Sequence, residues 1–445
     1  MTAPGRLVEW GRNAARKRLA GWDKSAALGR LVQWGKDAAI ALLLISAVLL
    51  IRELGLFSSF RQSAGGTVGQ SMLAGQPEEE GASAMPVRPL KLYVSAPRGA
   101  RIGLAWDADG ISELFDSFAA ALAEALGSAG APEAITETQW REHLLGQSVC
   151  FDYSCAVPLS LLSARLGVSL RDTEGFSASL LCLSCSEDTV WLCFRSEPDG
   201  GFYRCASAAG AAALRARLDA CEGSAASFAF EDARLSGLEP YTLMLDTLPE
   251  ISPAVSSAVP VGIDLEALMR YLGMNSNIIR PYTEADGTRV FVDSGKRLGI
   301  ESDGTVSFKG TAPDTGENAA QANSPLDAVS LAERMLASLA GEAELGFAGA
   351  EPGQDGTLSC RFRYLVNGIP VELAGGVYAA EITLSGGTVT YMELHPRTYA
   401  LISGAETPLP MESAAVMAAA SGVRRFELVY LDSGAAMSCE WIREE

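Results

Sequence analysis

The chain has 445 residues, 54 acidic against 35 basic, giving a formal net charge of −19, with 48% hydrophobic and 20% charged residues. That balance belongs to a folded protein rather than a disordered one, and the acidic surplus argues against nucleic acid or an anionic lipid surface as the partner of the bulk of the chain. The two histidines, His143 and His395, stand far apart and leave little material for histidine-based acid–base or triad chemistry.

Residues 1–37 carry eight basic side chains against three acidic ones. They contain an internal repeat: residues 5–15 (GRLVEWGRNAA) and 29–39 (GRLVQWGKDAA) agree at eight of eleven positions. Leu7, Val8 and Trp10 recur as Leu31, Val32 and Trp34 among basic residues. This reads either as a basic, tryptophan-bearing segment on an inner leaflet or as a duplicated flank whose one role is to orient the adjoining apolar segment. Next comes an uncharged run of 14 residues, 38–51 (AAIALLLISAVLLI). It extends to Phe57 when Arg52 and Glu53 sit at the lipid boundary. Basic residues before the run and a strong acidic excess after it give a transmembrane anchor at 38–57, with the N-terminus cytoplasmic and the C-terminal region extracellular. A cleaved signal peptide fits less well, because no A-x-A-like site comes after the run. Residues 58–88, rich in Gly, Ser, Gln, Ala and Pro, read as a flexible stalk.

Folded structure is expected from 89 onward, with a first α+β domain at 89–250. Alternation predicts strands at 90–96 and 101–107. Ile111, Leu114, Phe115, Phe118, Leu122 and Leu126 share one helical face, with Asp109 or Ser112 as candidate caps. Further strands are expected at 148–153, 178–184, 189–194 and 201–206, and helices at 159–166 and 208–221. The elements intermix without a strict β-α-β beat, so the fold class is α+β, with antiparallel sheets packed against helices.

A small α+β domain is expected at 260–312. It opens with a helix capped by Asp264 and ended by Gly273, then strands at 288–293, 298–301 and 305–309 with Asp303-Gly304 as a hairpin turn. After a polar linker, a third unit is expected at 324–445. Ser324 and Pro325 start its helix. Its strands are expected at 357–366, 377–384 and 388–395, with Gly386-Gly387 as the tight turn, then a helix at 411–421 and closing strands at 425–431 and 438–442.

Chemistry-bearing motifs are absent: no G-x-S-x-G, H-E-x-x-H, Walker A or G-x-G-x-x-G occurs. Asp107-Ala108-Asp109-Gly110 superficially suggests a calcium loop but lacks the ligand spacing, and a turn before the helix explains it better. Seven of the nine cysteines fall between Cys150 and Cys221. Cys182-x-x-Cys185 has no second pair or nearby histidines to complete a zinc site. Both disulfides and buried thiols remain open for these residues. No residue is singled out as catalytic, cofactor-binding or metal-ligating, no cofactor is expected, and the chain reads as no enzyme.

Three stretches resemble a known family. Residues 289–308 (RVFVDSGKRLGIESDGTVSF) look like the strand–D-G-T-V–strand segment of the YycH/YycI proteins. Asn367-Gly368-Ile369-Pro370-Val371 with residues 378–391 (YAAEITLSGGTVTY) resembles the hairpin of PepSY-type domains, also found in YycI-like proteins and in YpeB. Trp441-Ile442 resembles the W-[RK]-[IV] end of such domains. The resemblance covers about 260–445, and it implies a non-catalytic accessory protein whose partners are a WalK (YycG)-like sensor histidine kinase and a second YycH/YycI-type protein. The alternative it leaves is a PepSY-like extracytoplasmic inhibitor or stabiliser of a peptidoglycan hydrolase, as in YpeB.

Overall fold

The computed structural model describes residues 87–444 apart from 198, 259–262, 277–278, 312–322, 354–355, 424 and 435–436. The repeat, the anchor expected at 38–57 and nearly all of the stalk lie outside the described residues. Among the described residues, no helix is long and apolar enough to cross a membrane.

The first half is built on nine antiparallel strands: β1 (Lys91–Ser95), β2 (Arg101–Ala105), β3 (Glu133–Ile135), β4 (Gln147–Pro158), β5 (Ser177–Ser186), β6 (Thr189–Ser196), β7 (Phe202–Ser207), β8 (Ser224–Phe228) and β9 (Leu243–Leu245). Their order is β3-β7-β6-β5-β4-β1-β2-β8-β9. Period-2 alternation sorts the side chains to two covered faces. Val149, Leu183 and Leu192 lie in register on one face, and Cys150, Cys182 and Cys193 on the other. The leucine face is covered by α1 (Ala108–Ser128), whose Phe115 meets Phe151 edge-on at 5.9 Å. The cysteine face lies under α2 (Glu137–Leu145), whose Trp140 stacks on Phe202 at 5.5 Å. Helices α3 (Leu159–Arg165) and α4 (Ala211–Asp219) complete this half.

Helix α1 buries the apolar stripe that its spacing predicts. Its cap is Asp107, whose carboxylate accepts the Gly110 N–H at 3.1 Å, in place of the expected Asp109 or Ser112. Asp107 holds the extended backbone an N-cap needs, while Asp109 already lies in the first helical turn. The D-A-D-G segment is therefore a helix start.

The second half begins with β10 (Ala254–Ala258) and α5 (Leu265–Tyr271), capped as expected by Asp264 onto the Ala267 N–H at 3.0 Å. It continues through β11 (Tyr282–Thr283), β12 (Arg289–Asp293), β13 (Lys296–Ile300), β14 (Val306–Lys309), α6 (Pro325–Leu336), β15 (Ala343–Pro352), β16 (Leu358–Val366), β17 (Ile369–Leu373), β18 (Ala380–Ser385), β19 (Thr388–Leu394), β20 (Arg397–Leu401), α7 (Met411–Ala420), β21 (Arg425–Asp432) and β22 (Met437–Glu444). The sheet path is β11-β12-β13-β14-β19-β18-β16-β17-β21-β22, with β15 on β16, while β10 and β20 pair separately. Because β14 pairs with β19, the stretches 260–312 and 324–445 share one sheet. Asn367 and Gly368 take positive φ of 49° and 75°, the geometry of a two-residue hairpin turn.

The two halves share one hydrophobic core, and the described residues form one compact unit. Trp106 meets Trp441 edge-on at 5.4 Å, and Trp441 stacks on Phe426 at 4.5 Å. Arg165 pairs with Glu333 at 2.7 Å with both side chains largely buried. At Gly237 any Cβ would stand 2.2 Å from the Ala419 carbonyl oxygen, so only glycine permits this approach.

Candidate functional site

A cleft opens at the junction of the halves because two strands lose register at the same place. Between Asp152 and Val157 strand β4 carries four residues where β5 carries one, Ser179, between Leu180 and Ala178. The β5–β6 pairing also shifts between Ala178 and Leu181. Bulges of this kind re-aim side chains. Here Ser154 takes a positive φ of 53°, held by the Asp152 carboxylate, which accepts its N–H at 2.7 Å. Asp152, Ser154 and Cys155 thereby line a cavity of about 330 Å³, with Lys91 of β1 beside them and Arg425, Phe426 and Glu427 of β21 across from them. Arg195 and Glu239, paired with each other, stand at the same opening.

Buried charge sets the electrostatics. Lys91 is 7% exposed and its Nζ stands 3.8 Å from Asp152 Oδ2. Burial pushes the Asp152 carboxyl up, and Lys91 and the Ser154 hydrogen bonds only partly offset it. Burial acts the same way on Glu427, yet Lys91, Arg363 and Arg425 together outweigh it and hold that carboxyl below its ordinary range. Glu427 Oε2 accepts from Arg425 Nη2 at 2.9 Å and lies 3.7 Å from Arg363 Nη1, whereas Oε1 has no hydrogen-bond partner. The Cys155 thiol is pushed up to about 12, chiefly by burial, so it is a protonated thiol rather than a nucleophile.

A second cavity, of about 400 Å³, lies in the other half beside His395, with Glu301, Asp303, Arg397 and Asp432 on its walls. The His395 ring stands just past the end of β19, as its place before Pro396 suggests. Its Nε2 stands 3.1 Å from Glu393 Oε1 and its Nδ1 3.4 Å from the Thr305 hydroxyl. Asp432 accepts from Ser256 at 2.6 Å and from Tyr399 at 3.1 Å, so this buried carboxylate is satisfied.

The other residues that stood out in the sequence lie elsewhere. His143 sits on α2, half-buried, with Nδ1 3.1 Å from the Ser184 hydroxyl, and burial pushes its pKa down. All nine cysteines are free thiols. Cys182 and Cys185 point to opposite faces of β5, because a spacing of three inverts the side in a strand. Among the described residues no group of three or more His, Cys, Asp or Glu is arranged to hold a metal ion. Lys91, Asp152 and Glu427 were not distinguishable from other charges in the sequence. The only local signal was an acidic residue inside an otherwise apolar strand, Glu427 within RFELVYL.

The architecture is that of an α+β protein in which two antiparallel-rich sheets share one core, and it is a YycH-like fold. No protein-family model matches the sequence, and no curated protein matches it. The crystal structure of YycH from Bacillus subtilis is similar to this chain with a TM-score of 0.51 at 14% sequence identity, over 80% of this chain and 93% of that chain. The likeness therefore extends beyond residues 260–445, where the sequence resemblance lay, into the first half.

Proposed function

We propose that this chain is a non-catalytic, membrane-anchored regulator that binds and modulates a cell-envelope sensor histidine kinase. The observation that carries the reading is the YycH-like fold, matched over 93% of the YycH chain. The family resemblance implies a WalK-like kinase as partner, with a second YycH/YycI-type protein beside it. In this reading residues 38–57 cross the membrane, the N-terminus is cytoplasmic, the folded part is extracellular, and 324–445 is its PepSY/YycI-like portion. Regulation needs no chemistry: a coupling of about 1–3 kcal/mol suffices to bias a two-state kinase.

The test is crosslinking in the native membrane and then capture, comparing the full chain with one whose residues 36–57 are replaced by a poly-leucine span. Recovery of a histidine kinase only with the native span supports the proposal. Equal recovery of a peptidoglycan hydrolase with both chains overturns it and moves the function to the folded surface, as a YpeB-like role would require.

A further inference from the structure

Cys182 of β5 has a cysteine directly opposite it on each side, Cys150 on β4 and Cys193 on β6, and all three are buried. The two facing pairs are not equivalent. In an antiparallel ladder a residue turns its N–H and C=O toward the same neighbour, and opposed residues alternate between hydrogen-bonded pairs and closer, non-hydrogen-bonded ones. Bonds at the strand ends decide which is which. The Asp152 C=O accepts the N–H of Leu90, just before β1, at 2.7 Å. Asp152, and with it Cys150 two residues earlier, therefore turns its backbone groups to β1 and away from β5. The Glu197 N–H donates to the Ser177 C=O of β5 at 3.0 Å, and the Ser196 N–H to the Gly201 C=O, on the β7 side, at 2.8 Å. By the same alternation Cys193 turns its backbone groups to β5. Cys182–Cys193 is thus a hydrogen-bonded pair and Cys150–Cys182 a non-hydrogen-bonded one. Opposed Cβ atoms lie about 4.5–5.5 Å apart, closest in non-hydrogen-bonded pairs, whereas a disulfide needs about 3.5–4.5 Å. Of the two pairs, Cys150–Cys182 reaches that window.

We propose that Cys150 and Cys182 are a disulfide-forming pair, which closes a cross-strand bond while the chain folds and leaves Cys193 a thiol. The structure holds the reduced pair. The oxidant is another disulfide, small or carried by a thiol oxidoreductase. One cysteine attacks it as the thiolate, forms a mixed disulfide and releases one thiol; the second cysteine attacks the mixed disulfide and releases the other. Cys150 and Cys182 thereby give up two protons and two electrons, and the reagent leaves as two thiols. In the finished core both sulfurs are covered, and burial raises both pKa values, so the exchange belongs to the stage before the row is enclosed. The bond ties β4 to β5 two residues before Asp152, where their register is lost and the cleft begins. This inference stands apart from the kinase reading, since it requires no partner protein.

The experiment refolds the full chain in detergent, from its denatured and reduced form, in a buffer of reduced and oxidised glutathione. Remaining thiols are then alkylated under denaturing conditions, and the digest is read by mass spectrometry. A Cys150–Cys182 cross-linked peptide, with Cys193 alkylated, is expected as the dominant product. It should persist in Cys193→Ala and be lost in Cys150→Ala. The bridged chain should also unfold at a higher denaturant midpoint than the reduced one, because the cross-link restricts the unfolded chain. A dominant Cys182–Cys193 bridge, full alkylation of Cys150 and Cys182, or a bridged chain of lower midpoint overturns the proposal. Equally fast bridging when oxidised glutathione meets the already folded, reduced chain overturns it as well, since closure would not then belong to folding. If Cys193→Ala does not fold, the peptide map of the unaltered chain decides alone.

Discussion

The two sheets bury polar atoms in opposite ways. The first places three thiols, Cys150, Cys182 and Cys193, in direct register across β4, β5 and β6. Burial drives all three pKa values up, Cys182 to about 12, so they pack as small neutral hydrophobes. The second buries charge: Glu427 among Arg363, Arg425 and Lys91, and Asp432 under Ser256 and Tyr399. Thiols tolerate a core without partners, whereas carboxylates impose position on everything around them. The first half thus supplies an apolar row of thiols and the Lys91–Asp152 pair, the second supplies the Glu427 cluster, and the cleft lies where the two meet.

The largest effect is expected from the seam itself. Trp441→Ala removes the stack on Phe426 and the edge contact to Trp106, and should cost about 3–5 kcal/mol in denaturant unfolding. If the shared core makes the halves one cooperative unit, a single transition should persist with a lower midpoint. Two separated transitions would break the comparison by showing that each sheet is stable alone.

Glu427→Gln should come next, at about 3 kcal/mol near neutral pH, since it leaves Arg363 and Lys91 facing a neutral amide. The pH dependence has a defined sign. Because the folded-state pKa of Glu427 is depressed, its contribution is present above the ordinary carboxylate range and is lost as pH falls through the folded value. The gap between wild type and variant, measured by chemical denaturation across the acid range, should therefore narrow toward low pH. A gap independent of pH would mean that Glu427 acts through shape alone.

A smaller change, about 1 kcal/mol, is expected for Cys182→Ala, which deletes one buried sulfur from the middle of the row. In the native chain Cys150, Cys182 and Cys193 should resist maleimide labelling that the half-buried Cys221 accepts. Labelling of the row before global unfolding, read by mass spectrometry, would contradict its description as core.

Asp152→Asn should have the smallest effect, within about 1 kcal/mol at neutral pH, because an amide oxygen can still accept the Ser154 N–H. Its pH trend runs opposite to that of Glu427. The Asp152 pKa is raised in the folded state, so wild type loses stability as pH rises from the ordinary carboxylate range through the raised value. The variant should gain on wild type over that window. Parallel trends for the two variants would erase the contrast between the walls.

Much of this architecture was legible in the sequence wherever one face of an element is apolar and its ends are punctuated. The α1 stripe, the Asp264 and Ser324 caps and the hairpins turning at Asp303-Gly304 and Gly386-Gly387 all appear as expected. Strands lacking that contrast were missed. β15 (AELGFAGAEP) is too rich in Ala and Gly to announce itself and exists through its long pairing with β16. β9 is three buried residues, and β10 and β20 pair across a separation no local pattern encodes. The cleft was illegible for the same reason: Lys91, Asp152 and Glu427 are ordinary charges until a bulge and a distant strand bring them together.

That β21 supplies the far wall has a consequence for the order in which the protein is made. Strand β21 joins the sheet by a parallel pairing to β17, and among the described residues β21 and β22 come after every other strand in sequence. Lys91 and Asp152 emerge before β21 and pair with each other across β1 and β4, without Glu427 opposite them, until β21 arrives. Long-range closure of this kind is slow and exposes unfinished surface. A polypeptide that stops short of β21 carries half a cleft, an open sheet edge at β17 and a Trp106 without its partner. Arrival of β21 is therefore the step that closes the cleft and covers the β17 edge.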